Sequence, residues 1–210
     1  MKIIIVFTLL FSPSLMAKEF TLPCIGDSLT EGGSTHSTCR HFIDKYINQK
    51  LVHIGPFHDQ KSLRHAGRGG WSVQRMVPKF KSWYTQYPAD IIILHANHNN
   101  FAEQKPIPAI LKAQENIIRQ AHALNPEVII LFETAIPSLK LPKYSYLSEL
   151  REAQKMLCTS LQKDKIKLHP VRPEIDFDLK WLSKDKVHLK DAGVDHMARC
   201  FTETINKVIK

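Results

Sequence analysis

Asp90-Ile91-Ile92-Ile93-Leu94 places four large apolar residues in a row after one carboxylate, and this run decides the fold. A strand with one face in water alternates apolar and polar residues. A run without alternation belongs to a parallel strand covered on both faces. Val128-Ile129-Ile130-Leu131-Phe132 has the same character. Between the two runs, Ile110, Leu111, Ile117, Ile118 and Ala121 recur at helical spacing, as the crossover between parallel strands requires. Upstream, Phe20, Leu22 and Ile25 mark a first strand. Phe42, Ile43, Tyr46 and Ile47 mark a helix ending near Gln49-Lys50, and Leu51-Val52-His53-Ile54 reads as a second strand. Residues 55–70 are rich in Gly, His and charge and read as an irregular loop of the functional kind. Val73, Met76, Val77, Phe80 and Trp83 form the next helical stripe, which Pro78 is expected to bend or restart. Downstream come a helix on Leu147, Leu150, Ala153, Leu157 and Leu161, a last strand at Ile166-Leu168, and a closing helix on Met197, Phe201, Ile205 and Val208. Alternating strands and helices predict a three-layer α/β/α fold around a five-stranded parallel sheet, flavodoxin-like, in the order 2-1-3-4-5.

The chain has 210 residues, enough for one well-buried core and short for two. With 23% charged and 43% hydrophobic residues, it has the composition of a globular domain and not of a disordered or membrane-embedded chain. Its start differs. Lys2, the apolar run Ile3 to Phe11, and Ser12-Pro13-Ser14-Leu15-Met16-Ala17 have the three parts of a secretory signal peptide. Cleavage is expected after Ala17, leaving residues 18–210 as a single periplasmic or secreted domain. The apolar run is too short to span a bilayer, which takes about 20 residues, so no stable membrane insertion is expected. The formal charge of +9 becomes +8 once Lys2 leaves. For an exported chain this favours polyanionic surroundings such as envelope polymers or acidic glycans, and not nucleic acid. Four cysteines allow up to two disulfides. Cys39 precedes the apolar face of the first helix and Cys200 sits beside Met197 and Phe201 on the last. These helices should share one side of the sheet, so Cys39–Cys200 is the expected pair, with Cys24 and Cys158 buried as thiols or joined.

Pro23-Cys24-Ile25-Gly26-Asp27-Ser28-Leu29-Thr30-Glu31-Gly32 carries the candidate nucleophile, Ser28. An apolar approach, a glycine permitting a sharp turn and a glycine exit would expose the hydroxyl at a strand end. Taken alone, Asp27-Ser28 reads equally as a turn or a helix cap. Three later stretches change this. Gly26-Asp27-Ser28-Leu29, Gly70 in Gly69-Gly70-Trp71-Ser72, Asn99 in His95-Ala96-Asn97-His98-Asn99-Asn100, and Asp185-Lys186-Val187-His188 together resemble, in order, the four blocks of the SGNH hydrolases, also called the GDSL family.

The resemblance implies a serine esterase with Ser28 as nucleophile, His188 as general base and Asp185 as the acid that orients it. The oxyanion hole would be the backbone N–H groups of Ser28 and Gly70 with the Asn99 side chain, and no metal or organic cofactor is implied. Asn97 is a second candidate for the oxyanion amide. Asn97, His98 and Asn100 depart from the family's G-T-N-D block, and the last change removes a carboxylate that supports the loop. His65 to Ser72, with Cys39-Arg40 and His95, resembles the acetyl-xylan-esterase branch, whose substrates are O-acetylated sugars. Trp71 and Asp27 are then candidate substrate-binding residues, although a tryptophan opening a helix also reads as a core anchor. Two alternatives stay open: a lysophospholipase or thioesterase acting on lipid, and a glycan-binding protein with weakened catalysis.

Overall fold

The computed structural model describes residues 18–33, 37–101 and 107–209, so the predicted signal peptide lies outside the described residues. In chain order the elements are β1 (Glu19–Leu22), β2 (Cys24–Gly26), α1 (Ser28–Glu31), α2 (Arg40–Ile43), β3 (Lys50–His53), β4 (Phe57–His58), β5 (Arg64–Gly67) and α3 (Val73–Gln86). They continue with β6 (Ile91–His95), α4 (Ile107–Leu124), β7 (Ile129–Glu133), α5 (Leu147–Lys163), β8 (Leu168–Val171) and α6 (Asp191–Val208).

Pro23 divides the predicted first strand, because proline has no N–H to give to a ladder. Below the break β1 pairs in parallel with β3; above it β2 lies between β5 and β6, again in parallel. The six-stranded sheet runs β4-β5-β2-β6-β7-β8, with β4 antiparallel on its edge. The predicted order 2-1-3-4-5 therefore holds, with the place beside the first strand shared by β3 at one end and β5 at the other. Asp90, which opens the deciding run, joins the two halves. Its Oδ2 accepts from Thr21 N–H and Thr21 Oγ1, both at 2.8 Å.

Strand β5 corrects the reading of residues 55–70 as irregular. Arg64-His65-Ala66-Gly67 carries no branched apolar residue and no alternation, so periodicity gives it no signal. Its pairing with β2 supplies the order, through Ile25 opposite Ala66 and Gly26 opposite Gly67. The last strand also lies slightly beyond its expected place, at Leu168–Val171, and the first predicted helix is reduced to the single turn Arg40–Ile43. Helix α3 runs unbroken through Pro78, which sits on its exposed side, where water can satisfy the carbonyl that proline leaves free.

Both faces of β6 are covered, which is why its sequence does not alternate. Ile92 and Leu94 pack with Ile25, Ile130 and Phe132 under α3, α4 and α5; Ile91 and Ile93 pack with Cys24 and Leu131 under α2 and α6. The expected Cys39–Cys200 bridge is not formed: all four cysteines are free thiols. Cys39 and Cys200 do lie in the same core, as their helices predicted, but their side chains meet other groups. The Cys39 thiol contacts Cys24, the first residue of β2, while Cys200 turns along α6 toward His196, 3.8 Å away. No described helix is long and apolar enough to cross a membrane.

Candidate active site

Strand β2 ends in a turn with no room for a side chain. A Cβ on Gly26 would lie 2.0 Å from the His95 carbonyl oxygen and 2.2 Å from Thr30 Oγ1. This close approach brings α1 directly off the strand, with Ser28 as its first residue. Asp27 caps the turn: its Oδ1 accepts from Leu29 N–H at 3.0 Å and its Oδ2 from His98 N–H at 3.2 Å. Asp27 is fully buried and both its oxygens are occupied, so it braces the loop after β6 against the serine turn. The sequence reading gives Asp27 a substrate-binding role; the structure places its carboxylate on these two backbone N–H groups.

Ser28 Oγ lies 2.9 Å from His188 Nε2, and His188 Nδ1 lies 2.5 Å from Asp185 Oδ2. The Asp185-His188 segment closes on itself. Asp185 Oδ1 accepts the backbone N–H of Val187 at 3.0 Å and of His188 at 2.9 Å, and Lys186 takes a left-handed conformation, φ 65°, to allow it. Burial pushes the Asp185 carboxyl up, but the hydrogen bonds from the His188 ring and these two N–H groups outweigh it and hold the group at about 2. An ionised Asp185 can only accept, so Nδ1 carries the imidazole proton and Nε2 is left to accept from Ser28. The three residues are thus hydrogen-bonded in the order a nucleophile, its base and the group orienting that base require.

The loop following β5 passes beside the serine. Arg68 N–H donates to Gly26 O at 2.9 Å, and a Cβ on Gly69 would stand 3.7 Å from Ser28 Cβ. Gly70 has φ 74°, the left-handed region that glycine enters without strain, and a Cβ there would meet nothing. Of the two asparagines, Asn97 is buried and consumed. Its Oδ1 accepts from Gln114 at 3.1 Å and Gln154 at 2.8 Å, and its Nδ2 donates to Glu133 O at 3.4 Å. Asn99 is half-buried, donates from Nδ2 to the Trp71 carbonyl at 3.3 Å, and is the asparagine left facing outward on this loop.

Asn100 replaces the carboxylate lost from the family pattern with an amide that works in both directions. Its Oδ1 accepts from Val73 N–H at 3.2 Å and its Nδ2 donates to Asn97 O at 3.0 Å, joining the start of α3 to this loop. Trp71 stacks on Trp83 of α3 with ring centroids 6.2 Å apart and packs against the core. One face of the indole is thereby taken, in keeping with a core anchor.

Beneath the serine turn lies a buried polar group that the blocks do not include. His95 Nδ1 stands 3.0 Å from Glu133 Oε2, and both residues are almost wholly buried. Burial pushes His95 down, but the Glu133 carboxylate overcomes it and raises the ring to about 9; burial pushes Glu133 up. The available signal was Glu133 itself, a carboxylate ending a run of buried apolar residues. His98, 1% exposed, is held by burial at about 4, and His65, also buried, at about 4.

These two histidines predict acid sensitivity. Between about pH 6.5, the ordinary histidine value, and about 4, the unfolded chain takes up protons that the folded one refuses. Stability therefore rises with pH through this window and is lost as pH falls, by up to ~1.4 kcal/mol per pH unit for each residue. Replacing His98 with phenylalanine removes one such group. Urea unfolding from pH 4 to 6.5 should then show a slope shallower by that amount, and an unchanged slope would mean that His98 is already protonated in the folded protein.

Residues 24–196 match the GDSL-like lipase/acylhydrolase family. No curated protein sequence matches the chain significantly. Among solved structures, a family 3 carbohydrate esterase of Clostridium thermocellum is 20% identical, with a TM-score of 0.79 over 90% of this chain and 97% of that one. A carbohydrate esterase family 3 protein from Talaromyces cellulolyticus is 16% identical, with a TM-score of 0.81 over 90% and 98%. A member of the lipolytic protein G-D-S-L family from Veillonella parvula DSM 2008 is 17% identical, with a TM-score of 0.68 over 91% and 100%. At these identities the likeness is one of fold.

Proposed function

The chain belongs to the GDSL-like lipase/acylhydrolase family and is a carboxylic ester hydrolase, and from that premise we propose that it is an exported esterase removing acetyl groups from an O-acetylated carbohydrate through a Ser28-His188-Asp185 acyl-enzyme mechanism. The observation that carries the mechanism is the continuous hydrogen-bonded path from Asp185 through His188 to Ser28 Oγ. In this reading Ser28 Oγ attacks the ester carbonyl as His188 Nε2 takes its proton. The resulting oxyanion accepts the Ser28 and Gly70 N–H groups and the Asn99 amide, which swings from the Trp71 carbonyl. His188 then protonates the departing sugar oxygen, which leaves as a hydroxyl and an acetyl-enzyme remains, and water activated by the same nitrogen releases acetate and returns the proton to Ser28.

Two spaces, one touching the serine and one reached through the end of α1, support the substrate reading. A niche of about 10 Å³ touches Ser28 and His188 and is walled by Leu29, Cys39, Leu189, Val194 and Met197, leaving room for little beyond a methyl group. A second cleft of about 780 Å³, which meets the niche at Ser37 and is not lined by Ser28 or His188, is bordered by Glu31, His41, Phe57, His58, Lys61 and Arg68. Most residues on that border carry hydrogen-bonding side chains, which suits a polyhydroxylated alcohol. The two-way support from Asn100 argues against a weakened, binding-only protein. Export rests on the signal-like start of the sequence, and the family 3 carbohydrate esterase neighbours support the sugar by analogy of fold.

Chromogenic esters of one alcohol with acetyl, butyryl and octanoyl groups test this reading, together with acetate release from an O-acetylated oligosaccharide. Acetyl should be favoured over octanoyl in kcat/KM by at least about tenfold, since each methylene misfitting a pocket is worth about that much. A preference for the octanoyl ester would replace this reading with the lipid one.

A further inference from the structure

We propose that Glu31 is a positioning residue that holds the Gly69-Gly70 segment in the conformation presenting the Gly70 N–H to the oxyanion; this rests on the hydrolytic reading above. Glu31 ends α1, the turn that Ser28 begins, and its Oε2 accepts the Gly69 N–H at 2.6 Å. The bond joins two segments 38 residues apart in sequence.

The Glu31 end of this bond is firmly mounted. Its N–H donates to Asp27 O at 2.8 Å, and its carbonyl accepts from Arg40 Nη2 at 3.4 Å. Arg40 is itself completely buried; it donates to Thr30 O and pairs with Asp59 at 3.0 Å, so it cannot shift with the loop. The backbone from which the carboxylate extends is thereby fixed, and the side chain itself is held by the Gly69 N–H and the Arg68 guanidinium.

The other end needs one. Trp71 N–H donates to Arg68 O at 3.2 Å, so Arg68-Gly69-Gly70-Trp71 is a hydrogen-bonded turn, and φ 74° at Gly70 puts a left-handed residue in its third place, the type II pattern. The central peptide of such a turn can rotate to give the type I form, and with glycine at both central positions no Cβ opposes the rotation. Rotation reverses the Gly70 N–H. The Gly69 N–H lies on the peptide before the rotating one, so its charge-assisted bond to Glu31 fixes where the turn sits beside Ser28 and hence where the Gly70 N–H is presented. Arg68, 3.6 Å from Glu31 Oε1, offsets a charge that would otherwise oppose an oxyanion forming nearby. Glu31 therefore acts through the loop, and the oxygen that matters is a hydrogen-bond acceptor, charged or not.

The test compares wild type, Glu31→Ala and Glu31→Gln on an acetyl ester, with binding of methylboronic acid, which forms a tetrahedral adduct on a reactive serine. On a chromogenic acetyl ester, whose alcohol is not the sugar assigned to the cleft that Glu31 borders, Glu31→Ala should lower kcat by about 10- to 100-fold, part of the cost of losing an oxyanion donor outright, and leave KM within about twofold. Its boronate affinity should fall by a similar factor. Glu31→Gln, which keeps the acceptor, should recover most of both. A wild-type kcat in Glu31→Ala overturns the proposal, as does a Glu31→Gln variant as impaired as Glu31→Ala, or a loss confined to KM. Hydrogen exchange read at the Gly69 and Gly70 amides tests the clamp apart from catalysis: exchange should quicken in Glu31→Ala, and unaltered exchange would sink the idea. If wild type hydrolyses no ester, the functional reading fails while the exchange result still decides whether Glu31 orders the loop.

Discussion

Replacing Ser28 with alanine is expected to lower kcat for acetyl-ester hydrolysis by about five to six orders of magnitude, the scale on which removal of a serine nucleophile acts in a triad. The reason is stepwise. Without Oγ His188 Nε2 has no nucleophile to deprotonate, no acyl-enzyme can form, and the reaction falls back on direct attack by water. The remaining N–H donors at residues 28 and 70 and the Asn99 amide would still favour an oxyanion, which sets a small residual rate above that of solution. In the proposed mechanism Ser28 and His188 act as one unit, so the double replacement with alanine should be little worse than either single one. Pre-steady-state and steady-state rates on one acetyl ester check both statements. A Ser28→Ala enzyme within tenfold of wild type, or single losses that multiply in the double variant, would remove Ser28 from the chemistry. Folding is expected to be unaffected, since the turn is set by Gly26 and by the Asp27 cap.

Asp185→Asn should cost about four orders of magnitude in kcat, although the side chain keeps its size and one oxygen. Asp185 is held at about 2, so across the range in which rates are measured it is a carboxylate and the rate does not follow its titration. That charge fixes the imidazole proton on Nδ1, 2.5 Å away. In the variant the amide oxygen is drawn to the backbone N–H groups of Val187 and His188, which Oδ1 serves at 3.0 and 2.9 Å, and the NH₂ group turns to the ring. Nδ1 must then accept, the proton moves to Nε2, and Nε2 points a donor at Ser28 where an acceptor is needed. The plateau of the rate against pH should therefore collapse while KM changes little. An unchanged plateau would show that Asp185 does not orient His188 and that the last block has been misassigned.

The same geometry explains why parts of this site were readable beforehand. Asp185 and His188 are three residues apart, and their contact is closed by a local turn, so the motif contains its own geometry. Gly26 and Ser28 were legible because a strand that must turn sharply needs a residue without a Cβ, and the sequence places glycine there. Asn99 and Asn97 were not separable by type. They are the same residue two positions apart, and only the buried amides of Gln114 and Gln154, from α4 and α5, show which one is already spent. Asp27 looked available for substrate for a similar reason: its partner His98 N–H is 71 residues away. Glu31 had no signal at all beyond its place after the serine.

What the sequence by itself determined is the layered α/β architecture, since an apolar run without alternation can be stable only when both its faces are covered, and helical stripes between such runs imply parallel crossovers. It also determined the order of the four motif blocks and the local Asp185-His188 pair. The tertiary structure alone decided the pairing of β5 with β2, the contact of Cys39 with Cys24 in place of Cys200, and the meeting of His188 with Ser28 across 160 residues. Burial leaves a periodic trace because every turn of helix or pair of strand residues repeats the same environment. A single long-range contact between polar groups repeats nothing, and it exists only once the strands have brought its two ends to the same edge of the sheet.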